Sequence, residues 1–177
     1  MNRIPLIDPA HAEGKSKTLF DAVQAKMGMV PNMTRVLANA PAALESYLQF
    51  SGAMAGAKLS PRIREQIALT VGEVNSCVYC VRAHATIGGR LGLDAATIAA
   101  ARDARSSDPK VDALLKFARD LVVERGALSD EGLARLRGAG VTDGEIVETI
   151  AAVSLNIFTN YVNHVADTVI DFPEIKA

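Results

Sequence analysis

Residues 60–84 read SPRIREQIALTVGEVNSCVYCVRAH, and the fold turns on whether this stretch is a strand followed by a helix or two helices in succession. Ser60 can cap a helix through its hydroxyl, and Pro61 suits the first helical position, where a missing N–H costs nothing. Ile63, Ile67, Val71 and Val74 then recur at steps of four and three, the stripe of an amphipathic helix rather than the alternation of a strand. Asn75-Ser76 interrupts this helix, and a second is predicted from Ser76 to about Leu91. A thioredoxin-like fold, the other home of Cys-x-x-Cys, would need strands around the motif and usually a Trp before the first cysteine. The chain has no Trp, and no other segment reads as a strand to pair with this one.

Helical periodicity extends in both directions. Helices are predicted over 17–29, 34–38, 42–55, 94–102, 108–123, 129–136 and 142–170, the last opened by a Thr142/Glu145 capping box. The expectation is a single all-α domain over 1–177, a helical bundle of eight or nine helices. Its parts are a loose N-terminal arm over 1–15, a core motif over about 60–92 and a tail over 172–177. The last helix is apolar on so much of its circumference (IVETIAAVSLNIFTNYV, 146–162) that it belongs either at the centre of the bundle or in a subunit interface. The sequence does not separate the two.

Bulk composition narrows the function. The formal net charge is −1 and no basic or acidic run occurs, so neither nucleic acid nor an anionic membrane is an expected partner. The first sixteen residues lack the apolar core of a signal peptide, and no apolar run approaches membrane-spanning length. A cytoplasmic protein is expected. There a close cysteine pair is more often catalytic or metal-binding than a structural staple.

Both cysteines, Cys77 and Cys80, lie in the stretch that decides the fold. At about 100° per residue Cys77 sits at ~0°, Cys80 at ~300° and His84 at ~340°, so two thiols and an imidazole share one ridge. The first turn of a helix favours thiolate through its unpaired N–H groups and dipole. A histidine four residues beyond Cys80 can take its proton or stabilise its thiolate. A carboxylate to orient His84 could come from Glu65 or Glu73, and helix geometry alone leaves both open. A structural zinc site needs four ligands, of which Cys77, Cys80 and His84 supply three, with His164 or a carboxylate left to supply the fourth. No metal and no cofactor is expected. His164 itself is read as bonding to Asn160 or Asp167 along its own helix.

Glu65, eleven intervening residues, then Cys77-Val-Tyr-Cys80-Val-Arg-Ala-His84 resembles the signature of the alkylhydroperoxidase D / carboxymuconolactone decarboxylase superfamily. The flanking SPRIREQIALTVGEVNSCVYCVRAH and the closing NYVNHVADTVIDFP are similar to its peroxidase-related branch. The resemblance implies a thiol peroxidase or disulfide oxidoreductase acting on organic hydroperoxides. Cys80 would attack the peroxide, His84 and Glu65 would relay protons, and Cys77, expected to be the more exposed, would form the disulfide. It further implies a small hydroperoxide substrate, a dithiol reductant such as a lipoylated protein, and a homotrimer or homohexamer. Two other classes remain in view: a non-catalytic redox-sensing oligomer, and a carboxymuconolactone decarboxylase-type enzyme acting on a small organic acid. Tyr79 stands where the family's best-known pattern has a second histidine. At ~200° on the wheel it faces away from the ridge, so it is expected to pack rather than react.

Overall fold

The computed structural model describes residues 2–175 and contains, among them, nine α-helices, two single 3₁₀ turns and no strand. The helices are α1 (Gly14–Met27), α2 (Asn32–Leu37), α3 (Pro41–Ala53), α4 (Pro61–Val74), α5 (Val78–Arg90), α6 (Ala95–Arg102), α7 (Pro109–Val123), α8 (Asp130–Gly138) and α9 (Asp143–Ala166). Met1, Lys176 and Ala177, at the ends of the expected arm and tail, lie outside the described residues. Among those residues, no helix is long and apolar enough to cross a membrane.

The start signals in the sequence act as expected. Ser60, Asp94, Asp108 and Ser129 each accept a backbone N–H in the first turn of the following helix, and Thr142 with Glu145 closes a reciprocal capping box. The main departure is at the end of α9. Asp167 takes a left-handed conformation (φ 50°) and stops the helix at Ala166 rather than at 170.

Helix α4 is the hub, in contact with α5, α6, α7 and α9. Its Ile67, Leu69 and Val71 are fully buried together with Leu114 and Leu115 of α7. Burying a Leu or Ile side chain of this kind stabilises the fold by roughly 1.5–3 kcal/mol before entropy is counted. A second apolar cluster gathers Phe20, Met33, Leu37 and Leu44 from α1–α3 around Cys77, Tyr79 and Cys80 at the start of α5. The cysteines therefore sit where the N-terminal helices close onto the central hairpin. The arm before α1 is hydrogen-bonded to α2 and to the end of α9: Ile7 N–H donates to Arg35 O (3.2 Å), and Arg3 N–H donates to Ala166 O (2.6 Å).

Close approach of α4 and α5 depends on Gly72. A Cβ there would come within 3.1 Å of Val81 Cγ2, and a β-branched valine has little rotamer freedom to yield inside a helix. Gly72→Val is expected to destabilise the fold by about 1–3 kcal/mol through overpacking. Chemical denaturation would show this as a lower midpoint at unchanged slope.

Helix α9 carries polar side chains into the bundle. Its inward face carries Thr149, Asn156, Thr159, Asn160 and Asn163, all buried, whereas Val147, Ile150, Phe158, Tyr161 and Val165 are exposed. The apolar surplus read from the sequence thus splits between the two sides. Inside, the Thr and Asn side chains share the face with Ile146, Ala152 and Val153; outside, large apolar ones form a stripe.

Candidate active site

The geometry begins with how α4 stops. Ser76 adopts φ 55°, its N–H donates to Glu73 O (2.9 Å), and Cys77 N–H reaches back to Gly72 O (2.8 Å). This is the double closure of a Schellman motif, formed here on a serine rather than a glycine. Because Ser76 and Cys77 spend their N–H groups on the preceding helix, α5 starts at Val78, two residues later than predicted. Cys77 becomes its N-cap, with Sγ accepting from Cys80 N–H at 3.4 Å.

Cys77 and Cys80 are joined as a disulfide, with Cα atoms 5.3 Å apart. Their relative exposures are 2% and 3%, so the expectation of a more exposed Cys77 is not met. The reason is the N-terminal layer: α1–α3 and the C-terminal segment pack over the start of α5. Asn163 of α9 donates from Nδ2 to Cys80 Sγ at 3.2 Å, and its own Oδ1 is buried without a partner. A helix N-terminus and an amide N–H therefore both aim positive charge at Cys80, the environment that favours a thiolate once the pair is reduced.

Of the two carboxylates left open by the sequence, Glu65 is the one beside the histidine. Its Oε2 lies 2.7 Å from His84 Nδ1. A carboxylate can only accept, so Nδ1 carries the proton and Nε2 of the neutral ring is left as the base. Glu73 is bound instead by Arg102, at 2.8 Å from Nε, and lines a different cavity of about 440 Å³. His164 does not bond along its own helix; its Nε2 meets Asn75 O at 2.9 Å, next to the α4 stop. Among the described residues, no three His, Cys, Asp or Glu side chains converge as a metal site.

Tyr79 packs, as the wheel suggested. It is buried edge-on against Phe172, with ring centres 5.6 Å apart. Its hydroxyl accepts from Met33 N–H (3.1 Å) and donates to Asp171 Oδ1 (2.8 Å). One phenol thus ties α5 to α2 and to the C-terminal segment. Burial, reinforced by the neighbouring Asp171, pushes its ionisation far up.

On the far side of His84 opens a cavity of about 390 Å³, lined by Glu65, His84 and Tyr47 together with residues of α1, α3 and α9. Burial, with the charge of Glu65 nearby, raises Tyr47 to about 12, so it is a neutral donor at any physiological pH. Both phenols have consequences for stability at high pH. An unfolded tyrosine ionises near 10, whereas Tyr47 holds its proton to about 12, so the unfolded state binds fewer protons between these values. Stability is full below pH ~10 and is lost as pH rises through that window. Equilibrium unfolding from pH 9 to 12 should show the decline, and Tyr47→Phe and Tyr79→Phe should each flatten it.

Asn163 and Tyr47 were not singled out from the sequence. For Asn163 a signal was present: Thr149, Asn156, Asn160 and Asn163 recur at helical spacing through an otherwise apolar segment, which marks a polar face with work inside the bundle. Tyr47 carried no comparable signal, since one aromatic on an apolar helix reads as core.

A buried dithiol at a helix start, next to a carboxylate-oriented imidazole in an all-α bundle, defines a class of thiol-bearing helical domain. Residues 41–124 match the carboxymuconolactone decarboxylase family. That match spans just under half of the chain, and the fold as a whole is shared with alkylhydroperoxidase D-like structures. Among solved structures it is similar to an uncharacterized peroxidase-related protein from Silicibacter sp. TM1040 (TM-score 0.82, 23% identity, covering 94% of this chain and 89% of the other). It is also similar to the alkylhydroperoxidase AhpD core of an uncharacterized peroxidase-related protein from Ralstonia eutropha JMP134 (TM-score 0.83, 23% identity, 96% and 92% covered). The debrominase Bmp8 shares the fold as well (TM-score 0.80, 19% identity, 96% and 92% covered). No curated protein matched the sequence.

Proposed function

We propose that the chain is a thiol-dependent peroxidase that reduces organic hydroperoxides through the Cys77–Cys80 dithiol, in antioxidant defence. The observation that carries this reading is the placement of the cysteine pair and the Glu65–His84 pair on one helical hairpin, with Asn163 donating to Cys80. His84 Nε2 takes the thiol proton of Cys80; the thiolate attacks the distal peroxide oxygen, the O–O bond breaks, Cys80 becomes a sulfenic acid, and the leaving alkoxide takes that proton from His84 to depart as the alcohol. Cys77 then attacks the sulfenic sulfur, forming the disulfide and releasing water. A dithiol reductant, such as a lipoyl group carried on a protein, restores both thiols and is itself oxidised to a disulfide. Such a cycle suits a reducing, cytoplasmic setting.

The outer stripe of α9 supports self-association into a trimer or hexamer, because five large apolar side chains exposed on one helix are more than solubility tolerates. The test of function is direct. Reduced protein with cumene hydroperoxide and a dithiol should consume peroxide catalytically and accumulate the Cys77–Cys80 disulfide when the dithiol is withheld. If no peroxide is consumed and both thiols stay reduced, the peroxidase reading is wrong.

A further inference from the structure

The cavity beside His84 is not neutral, and its charges are arranged along an axis. Helices α4 and α5 form an antiparallel hairpin whose turn holds the cysteines. Glu65 and His84 meet partway along it, Arg64 directly precedes Glu65 on α4, and Arg90 closes α5 at the end away from the turn. At 1.5 Å per residue, Arg90 lies about 15 Å along the helix from Cys80. Both arginines line the cavity, and Lys26 of α1 joins them. Among the described residues none of these three cations forms a salt bridge. The one carboxylate in the lining, Glu65, is held by His84. Arg64 is fixed in place, donating from Nη1 to Leu59 O, and keeps its other donors. Leu48, Met54, Ile87 and Leu155 give the same cavity apolar wall, and Ser51, Asn156 and Thr159 add neutral polar groups.

We propose that this cavity selects hydroperoxides carrying a carboxylate at the end of an apolar chain, the acid anchored by Arg64, Arg90 and Lys26 and the peroxide set against His84, one helical turn from Cys80 on α5. This deepens, and rests on, the peroxidase reading. Cations without a salt-bridge partner in the wall of a partly apolar cleft lower the free energy of an amphipathic anion through charge-assisted bonds, and guanidinium groups suit a carboxylate in particular. Neutral hydroperoxides would gain only the apolar contact. Cationic ones would be repelled.

The test separates ligand class from chemistry. Calorimetric titration of the disulfide form with decanoate, decanol and decylamine needs no turnover. Decanoate is expected to bind about tenfold or more tighter than decanol, with decylamine weakest. Arg90→Met, at an exposed position, should cut decanoate affinity and leave decanol unchanged; Arg64→Met with Arg90→Met should erase the preference. Equal binding of acid and alcohol by the unaltered protein, or a decanoate affinity indifferent to Arg90→Met, would overturn the proposal. Failure to consume any hydroperoxide would instead strike the peroxidase reading and leave the binding result to stand by itself.

Discussion

In the proposed peroxidase cycle the Cys80 thiolate attacks, so Cys80→Ser is expected to lower dithiol-dependent hydroperoxide turnover by at least ~10³-fold, a serine hydroxyl being no comparable nucleophile at neutral pH. Cys77→Ser should behave differently. It leaves Cys80 at N3 of α5 with the Asn163 amide on its sulfur, so the first turnover proceeds and the cycle stalls at the sulfenic acid. The two serine variants remove the same disulfide, so a loss caused only by lost covalent bracing would be the same for both. A single burst of one peroxide per chain in Cys77→Ser and none in Cys80→Ser is the expected pattern, read by stopped-flow peroxide consumption. Equal bursts in both would reassign the attacking cysteine.

His84→Gln is expected to cost about 10²–10⁴-fold in kcat/KM, the usual range for a general acid–base group. The side chain is replaced at similar size, and the alternative carboxylate Glu73 is unavailable to compensate because Arg102 holds it. Glu65→Gln should cost less, since its part is to fix the Nδ1–H tautomer and leave Nε2 free. Because they act as one unit, the double variant should be scarcely slower than His84→Gln by itself. Steady-state kinetics on the four proteins measures this coupling. Additive losses would mean that the 2.7 Å contact does not carry the proton relay.

Much of the architecture was legible because local signals and the hydrophobic pattern agree in this chain. Ser60-Pro61, Asp108-Pro109 and Thr142 with Glu145 each set a helix start that the structure keeps. The two-residue error at the start of α5 has a specific origin. Ser76 carries a positive φ without being glycine, and nothing in a lone serine announces that it will complete a Schellman closure. The cysteine pair, His84 and Glu65 were visible as spacing, but the choice of Glu65 over Glu73 was not. It depends on two helices folding back at Asn75-Ser76, which brings residues nineteen apart in sequence to within a hydrogen bond. Burial of Cys77 was missed for a related reason. The elements that cover it, α1–α3 and the segment around Phe172, are distant in sequence, and their docking leaves no periodic trace near the motif. Tyr79 shows the opposite case, in which the helical wheel alone placed the ring away from the thiols, and its Met33 and Asp171 partners supply the reason it stays there.

In the proposed cycle Cys80 Sγ is the atom that meets the peroxide. Reduced Cys77→Ser protein, treated with one equivalent of cumene hydroperoxide in the presence of dimedone and analysed by peptide mass spectrometry, tests it most directly. A single dimedone adduct is expected, on Cys80, formed faster than on a free model thiol. Unmodified Cys80 with the hydroperoxide left intact would contradict it.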